Sequence, residues 1–459
     1  MYTSIANPIF GQNLCMLSRK KFLQNSALAT VSLSLLEFIQ PANAASLSTH
    51  LKSIEPLSAE AAAQDEDFWA WVREQYITSP NIINLNNAGV SPQPKPVQEA
   101  HMHYYQLCNE APSHYMWHVL DKGREPLRAR VAELAGCLPE EIAFNRNTTE
   151  GLNTIIFGLN LKAGDEVVLS KYDYPNMMNA WKQREKRDGI KLNWVDLDLP
   201  VESDDIFLEK FGKAITPKTK IVHITHMMNW TGQILPARKI ADLAHSRGCE
   251  VIVDASHSFV HIDHKISDLD CDYYAASLHK WLCAPFGTGF MFIKKDKIKN
   301  VWALLSAPIP DASNIGKFES LGTRSFAAEM AIGNAIDFHY LIGIKRKEER
   351  LRFLKNYWCE KIAKNPKIKF YTSMKPEYSC AITTFSIKGW EAGDISGLLF
   401  EKWKIHTTTS NQENVHGVRV TPHIYTSLGE LDLLVSAIEE LAAKEPPRKK
   451  DSKDNQPAH

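Results

Sequence analysis

A set of short apolar runs constrains this chain more than any other feature: "DEVVLS" (165–170), "KLNWVDLD" (191–198), "TKIVHIT" (219–225), "EVIVDAS" (250–256) and "CDYYAAS" (271–277). In most of them apolar residues stand side by side instead of alternating with polar ones. A strand with one face in water alternates, whereas a strand covered on both faces does not. Helical patterns separate the runs, as in "PARKIADLAHSRG" (236–248), which starts at Pro236 and stops at Gly248. Strands alternating with helices predict an α/β fold with a mostly parallel central sheet and helices on both faces. No internal repeat is evident.

A chain of 459 residues is too long for one ordinary core. Residues 46–80 read as a linker followed by a helix from Ser58. Pro92, Pro94 and Pro96 forbid a long helix over 81–96, which is therefore expected to be an extended arm, with a helix following to about Asn109. The arm and the strand-rich region form a large ligand-binding domain, 81–335. A basic helical stretch then leads into a smaller α/β domain, 336–444. Its strands are "CAITTFSIKG" and "GVRVTPH", and its last helix opens on a Ser427/Glu430 capping box. The polar tail 445–459 is expected to be disordered.

Residues 1–45 have the layout of a signal peptide: a basic head, an apolar run from Ser26 to Phe38, and the small-residue site Ala42-Asn43-Ala44. Ser18-Arg19-Lys20-Lys21-Phe22-Leu23 is similar to a twin-arginine export signal, with Lys20 in place of the second arginine. Eight cysteines are scattered without a CxxC pair, so neither a zinc site nor a disulfide framework is suggested. Both features fit a protein that folds in the cytoplasm and is exported folded, to the periplasm. Lysine plus arginine and aspartate plus glutamate number 53 each, which argues against nucleic acid as the partner. No stretch is apolar enough to span a bilayer.

Ligands of open parallel sheets bind beyond the carboxyl ends of the strands. "EVIVDASH" ends in Asp254, with His257 three positions on, and "AASLHKW" places Lys280 just past another strand. Singly, a strand-end lysine snorkels and an aspartate caps the next segment. Together they are what pyridoxal 5'-phosphate needs, a lysine for the Schiff base and a carboxylate that keeps the pyridine nitrogen protonated. Thr148 and Thr149, opening a helix in "NRNTTEGLN", offer a phosphate cradle, although capping would account for one threonine. Ser277 and His279 add donors. Tyr172 and Tyr174 are candidates to stack on the ring, with Tyr174 preferred. Arg419 could grip a substrate carboxylate in bidentate fashion, or be a surface ion pair. The arm "LNNAG", Asn86 to Gly89, is the other candidate for that carboxylate, through Asn87 and Gly89.

"NTTEGLN", "VDASH", "SLHKW" and "GVRVTPHIY" occur in this order, with Asp254 and Lys280 twenty-six positions apart. On these motifs residues 80–442 resemble the class V aminotransferases among the fold-type I pyridoxal-phosphate enzymes. "LHKWLCAPFGTGF" and "LNNAGVSP" are most similar to the isopenicillin N epimerase-like branch. The resemblance implies that Lys280 carries the cofactor, Asp254 faces its ring nitrogen, and His257 and Asn229 lie near its ring oxygen. It assigns the phosphate to Thr149, Ser277 and His279, and the substrate carboxylate to Arg419. Thr323 would reach the phosphate of a neighbouring subunit, which implies a homodimer. Cysteine desulfurases of the family carry a nucleophilic cysteine shortly before the matching arginine, but "KIHTTTSNQENVHG" (404–417) has none.

The expectation is an enzyme acting at the α-carbon of an amino acid or a related small molecule, of aminotransferase or epimerase type. A β-elimination lyase stays open. A catalytically silent binding protein is disfavoured, because every cofactor-handling position is chemically intact. A nicotinamide-type Rossmann enzyme fails because no GxGxxG follows a strand.

Overall fold

The computed structural model describes residues 51–446. The leader and nearly all of the 445–459 tail lie outside the described residues. Seven strands form the central sheet: β1 (Ile142–Asn145), β2 (Glu166–Ser170), β3 (Lys191–Val195), β4 (Thr219–Thr225), β5 (Glu250–Asp254), β6 (Tyr273–Ser277) and β7 (Gly289–Ile293). Their order is β3-β2-β4-β5-β6-β7-β1. Only β7 runs against its neighbours, β6 and β1; every other pairing is parallel.

Burial on both faces explains the unbroken apolar runs. In β5, Val251 and Val253 pack into one core cluster and Ile252 into another. In β6, Tyr274 and Ala276 share the first cluster, and Tyr273 and Ala275 the second. Helices Arg124–Ala135, Ala237–Ser246 and Ile332–Ile342 cover one face, while Thr148–Gly158 and Pro175–Asp188 cover the other. Each buried valine or isoleucine contributes about 1.5–3 kcal/mol. Strands β1 and β7 are additions to the expected set. β1 is only four residues long, and β7 begins at Gly289, so neither stands out as a run between helices.

The helix expected from Ser58 is two helices, Ala59–Ala62 and Glu66–Glu74. Asp65 caps the second, its Oδ1 accepting from the Phe68 amide at 3.0 Å. After the arm, a helix runs over Lys95–Glu110 with Pro94 at its cap.

A second sheet of β8 (Ile368–Phe370), β9 (Thr383–Ile387), β10 (Thr408–Gln412) and β11 (Val415–Val420) is antiparallel, in the order β10-β11-β9-β8. It has its own apolar cluster, shared with helices Ile344–Ile362, Ala392–Trp403 and Leu428–Ala443. The capping box forms: Ser427 Oγ accepts from the Glu430 amide at 3.1 Å, and Glu430 Oε2 from the Ser427 amide at 2.7 Å. Among the described residues no helix is long and apolar enough to cross a membrane.

The arm joins the two sheets. Ile83–Asn84 pairs in parallel with Ile405–His406, and the Asn87 amide donates to the Thr421 carbonyl at 3.3 Å. Further on, the Ser91 amide donates to the His279 carbonyl at 3.1 Å, next to Lys280.

Candidate active site

The chain leaves β6 at Ser277 and returns along β7 from Gly289, so the Lys280 segment is a compressed turn. The Leu278 amide donates to the Thr288 carbonyl at 3.0 Å. Gly287 takes φ +76° there, a conformation that glycine adopts without cost. Trp281 anchors the turn: its ring stacks on His261 at 3.6 Å between centroids and on His423 at 5.6 Å. Buried Lys347 donates from Nζ to the Trp281 carbonyl. These contacts hold Lys280 half-buried, with Nζ 3.3 Å from His257 Nε2. Burial pushes the Lys280 ammonium down to about 8; Asp254 opposes that shift and Arg419 reinforces it. An amine poised there is deprotonated far more readily near neutral pH than an ordinary lysine, as attack on a carbonyl requires.

Asp254 ends β5 and is buried. Its Oδ1 accepts from the Ser256 amide at 2.9 Å, so it does part of the local capping work a lone aspartate usually does. Burial raises its pKa, against the Ser256 bonds and nearby Lys280. His257 is held neutral, well below its ordinary range, by burial and then by Lys280 and Arg419.

Capping of the Thr148–Gly158 helix falls to Asn147, whose Oδ1 accepts from the Glu150 amide at 2.9 Å. Neither threonine hydroxyl is used for it. Thr148 Oγ1 instead lies 2.8 Å from Ser277 Oγ, which also accepts from the Thr148 amide at 2.9 Å. This joins the helix start to the end of β6. Thr149 is the next residue of that first turn and is half-buried. His279 Nδ1 pairs with the Thr288 carbonyl at 3.0 Å, which assigns the proton to Nδ1 and leaves Nε2 for another partner.

Of the two tyrosines, Tyr172 is core: it is buried, and its hydroxyl donates to Asn414 Oδ1 at 2.6 Å. Tyr174 is 39% exposed, stands directly before the helix that Pro175 begins, and lies near Arg419. The aspartate between them lies near Asp254, a placement that the sequence motifs do not reveal. Asp173 is wholly buried, accepts from the Thr225 hydroxyl at 2.7 Å and the Ser170 amide at 2.9 Å, and is raised to about 7, chiefly by burial. Its sole signal in the sequence is a charged residue just beyond a buried strand.

Arg419 lies in β11, flanked across the sheet by Thr408 and Thr384, and is buried. Its Nη1 donates to the Asn229 carbonyl at 2.8 Å and its Nη2 to Asn86 Oδ1 at 3.0 Å. Burial lowers its pKa to about 10. It is therefore not the surface ion pair that was its ordinary alternative.

Asn87 is a correction. Its Nδ2 donates to the Thr421 carbonyl at 2.9 Å and the Asn84 carbonyl at 3.1 Å. Its Oδ1 accepts from the Tyr425 hydroxyl at 2.6 Å and from Asn84 Nδ2 at 3.1 Å. That saturates the amide and leaves nothing for a substrate. Gly89 is exposed, and its amide closes a turn onto the Asn86 carbonyl at 3.1 Å, so that donor is also in use. Thr323 is not brought to Lys280 within the chain. It is exposed and lines a cavity of about 440 Å³ with Asn145, Phe286 and Thr288.

Three buried polar atoms of this site have no partner among the described residues: His257 Nδ1, Asn229 Oδ1 and Arg419 Nε. Leaving one such atom unpaired costs about 1–3 kcal/mol, so a cluster of them marks where a polar ligand belongs. A planar ring with polar substituents, an anionic tail and a carbonyl within reach of Lys280 fits this donor set. The sheet order with its one reversed strand and the lysine–aspartate pair at the strand ends define a fold-type I pyridoxal-phosphate enzyme.

Residues 83–431 match the aminotransferase class-V family, and the chain belongs to it. An isopenicillin N epimerase of Amycolatopsis lactamdurans is 28% identical over 397 residues, 82% of this chain and 98% of that protein. A probable cysteine desulfurase of Synechocystis is 28% identical over 407 residues, 83% and 95% respectively. Among solved structures, the Escherichia coli cysteine desulfurase CsdA superposes with TM-score 0.71 at 23% identity, over 81% of this chain and 98% of that one. The cystine C–S lyase C-DES gives TM-score 0.70 at 20% identity, over 80% and 99%. The cofactor is pyridoxal phosphate, which a C-DES mutant structure carries.

Proposed function

We propose that this class V enzyme binds an amino acid or a related small molecule by its carboxylate and moves the proton at its α-carbon, as an aminotransferase or an epimerase does. The observation that carries the reading is the pairing in one site of the strand-end Lys280, 3.3 Å from His257, with buried Arg419, whose charge helps to push the lysine down to about 8. Bound pyridoxal phosphate supplies the electron sink that makes the α C–H acidic. Asp254 would face the ring nitrogen, and Thr148, Thr149, Ser277 and His279 would receive the phosphate. His257 and Asn229 would lie near the ring oxygen, and Tyr174 would cover the ring. Arg419 fixes the carboxylate, which aims the α C–H toward Lys280. The Lys280 amine, whose pKa is pushed down to about 8, takes that proton in its neutral form and returns it.

The missing thiol supports this over sulfur transfer. No cysteine follows Cys380, so the β10–β11 hairpin has no nucleophile. Cys283, three residues beyond Lys280, is buried, lies 3.5 Å from His423 Nε2, and is raised by burial, so it is inert. A β-elimination lyase needs no enzyme thiol and is the competing reading, favoured by the desulfurase relative.

The test is to incubate the yellow holoenzyme with α-deuterated amino acids of both configurations. Deuterium wash-out with inversion supports epimerisation, and wash-out with a stoichiometric keto acid supports transamination. Ammonia and a keto acid formed catalytically, from substrates with a β-leaving group only, would replace both with elimination. We also propose export of the folded protein through the twin-arginine route to the periplasm, and a homodimer in which Thr323 faces the partner's site. Retention of the precursor on changing Arg19 and Lys20 to Gln, and a dimer mass in sedimentation, are the expected results. Unchanged export or a monomer would reject them.

A further inference from the structure

Arg419 carries donors only, and two acceptors fix it. One is the Asn229 carbonyl, a backbone group that no side-chain change removes. The other is the side chain of Asn86. Because arginine accepts nothing, the Asn86 amide must present Oδ1 to it and its NH2 to the other side. There Nδ2 lies 3.4 Å from His406 Nε2, which is then the unprotonated ring nitrogen. The Asn86 backbone is secured separately. Its amide donates to Asn84 Oδ1 at 3.2 Å, its carbonyl accepts from Gly89, and it bridges Thr421 in parallel. The arm therefore does not depend on the Asn86 side chain for its course.

A buried arginine ordinarily has a carboxylate beside it. Arg124, Arg128 and Arg350 of this chain follow that rule, with Glu329, Glu319 and Glu66. Arg419 is buried to the same degree, yet its two hydrogen bonds go to an amide oxygen and a peptide carbonyl. Its Nε is without a partner among the described residues, as are those of Arg124 and Arg350, so the difference lies in the missing carboxylate alone.

We propose that Asn86 is a specificity-determining positioning residue: a neutral acceptor that orients the Arg419 guanidinium without neutralising it, so that the missing negative charge comes from the ligand. The inference rests on Arg419 as the carboxylate site. It makes the site selective for free carboxylates over amides and esters. It also places that selectivity in an arm residue more than three hundred positions from the arginine.

The test uses the holoenzyme and propionate, whose carboxylate needs only the arginine, with propionamide as control, followed by the perturbation of the cofactor absorption band. Wild type should respond to propionate and not to propionamide. Asn86→Asp, of the same shape, should keep the resting band and thermal midpoint but weaken propionate about tenfold or more, since an internal carboxylate now competes. Asn86→Ala should weaken it less. With an amino acid that is turned over, Asn86→Ala should raise KM and leave kcat within about twofold. A response in Asn86→Asp equal to wild type overturns the role of Asn86 alone, provided Arg419→Ala has lost it. A response that survives Arg419→Ala, or none in wild type, removes the carboxylate site and this inference with it.

Discussion

Asp254, Ser277 and Lys280 stand at or just past the ends of β5 and β6, neighbouring strands of one sheet, and no more than twenty-six residues separate them. Arg419, Asn229 and Asn86 come from β11, a loop after β4 and the arm, and two hydrogen bonds spanning 190 and 333 positions bring them together. The first group is placed by the sheet itself. Parallel registry fixes where strands end, and the Trp281 sandwich fixes the turn beyond. The second group is placed by docking one sheet and an arm against the other. A region built by local registry tolerates little change in its reactive group but holds its geometry. A region built by long-range contacts can be retuned at its supports.

This division shows most plainly at Lys280. Lys280→Ala should abolish borohydride trapping of the cofactor and lower turnover by at least about 10²–10⁴-fold, the share of proton transfer alone. The fold should persist, since the turn is anchored at Trp281 and Thr288. Near-native turnover would show that the proton carrier is another group.

Arg419→Ala should leave the resting absorption band unchanged and weaken carboxylate ligands by about 2–5 kcal/mol, read by titrating that band. Arg419→Lys should stay impaired, because it keeps the charge and loses the planar pair of donors. Loss of the cofactor itself would mean that the two halves are not separable.

The pH dependence sharpens the same division. The Lys280 amine titrates at about 8 when buried. Below that value it is protonated and cannot attack. Cofactor uptake by the cofactor-free protein should therefore quicken with pH up to about 8 and level off above, measured by stopped-flow absorbance. The stability of that form should move the same way. The folded value is lower than the usual 10.5, so the unfolded chain binds more protons between about 8 and 10.5, and stability rises with pH across that window. Lys347, also pushed down to about 8 by burial, adds to the slope. A flat denaturation midpoint from pH 8 to 10 would contradict both.

The smallest effect on chemistry is expected at Asn87. Asn87→Ala strands the acceptors and donors it satisfies, at about 1–3 kcal/mol of stability. The denaturant midpoint should fall while the spectral response to substrate holds. A selective loss of substrate binding would return Asn87 to the site.

Much of the cofactor side is legible in the amino-acid sequence. A strand buried on both faces leaves an unbroken apolar run, and the polar residue that ends it must stand at the sheet edge; Asp254 and Ser277 follow from that alone. The helix over Thr148–Gly158 is legible in its start. Its cap is not, because Asn147, Thr148 and Thr149 are all chemically able to cap. Only the 2.8 Å contact of Thr148 with Ser277, across 129 positions, shows which hydroxyl is engaged elsewhere. β1 and β7 escape the pattern because one is too short and the other starts at a glycine. Asp173 escapes it because a single charged residue past a strand reads as solvated.

The arm marks the boundary between the two kinds of information. Three prolines dictate that it is extended, and four consecutive polar or small residues dictate that it turns; both follow from local sterics and hold in any fold. Which of Asn86 and Asn87 meets the substrate side does not follow locally. Neighbouring residues of an extended chain face opposite ways, and a shift of one position exchanges them. Pairing of Ile83–Asn84 with Ile405–His406 selects the register. It sends Asn87 inward to Tyr425 and Thr421, and Asn86 to Arg419. Chemistry carried by one residue at a strand end is set by short-range rules, whereas chemistry shared across an interface is set by the register in which two surfaces dock.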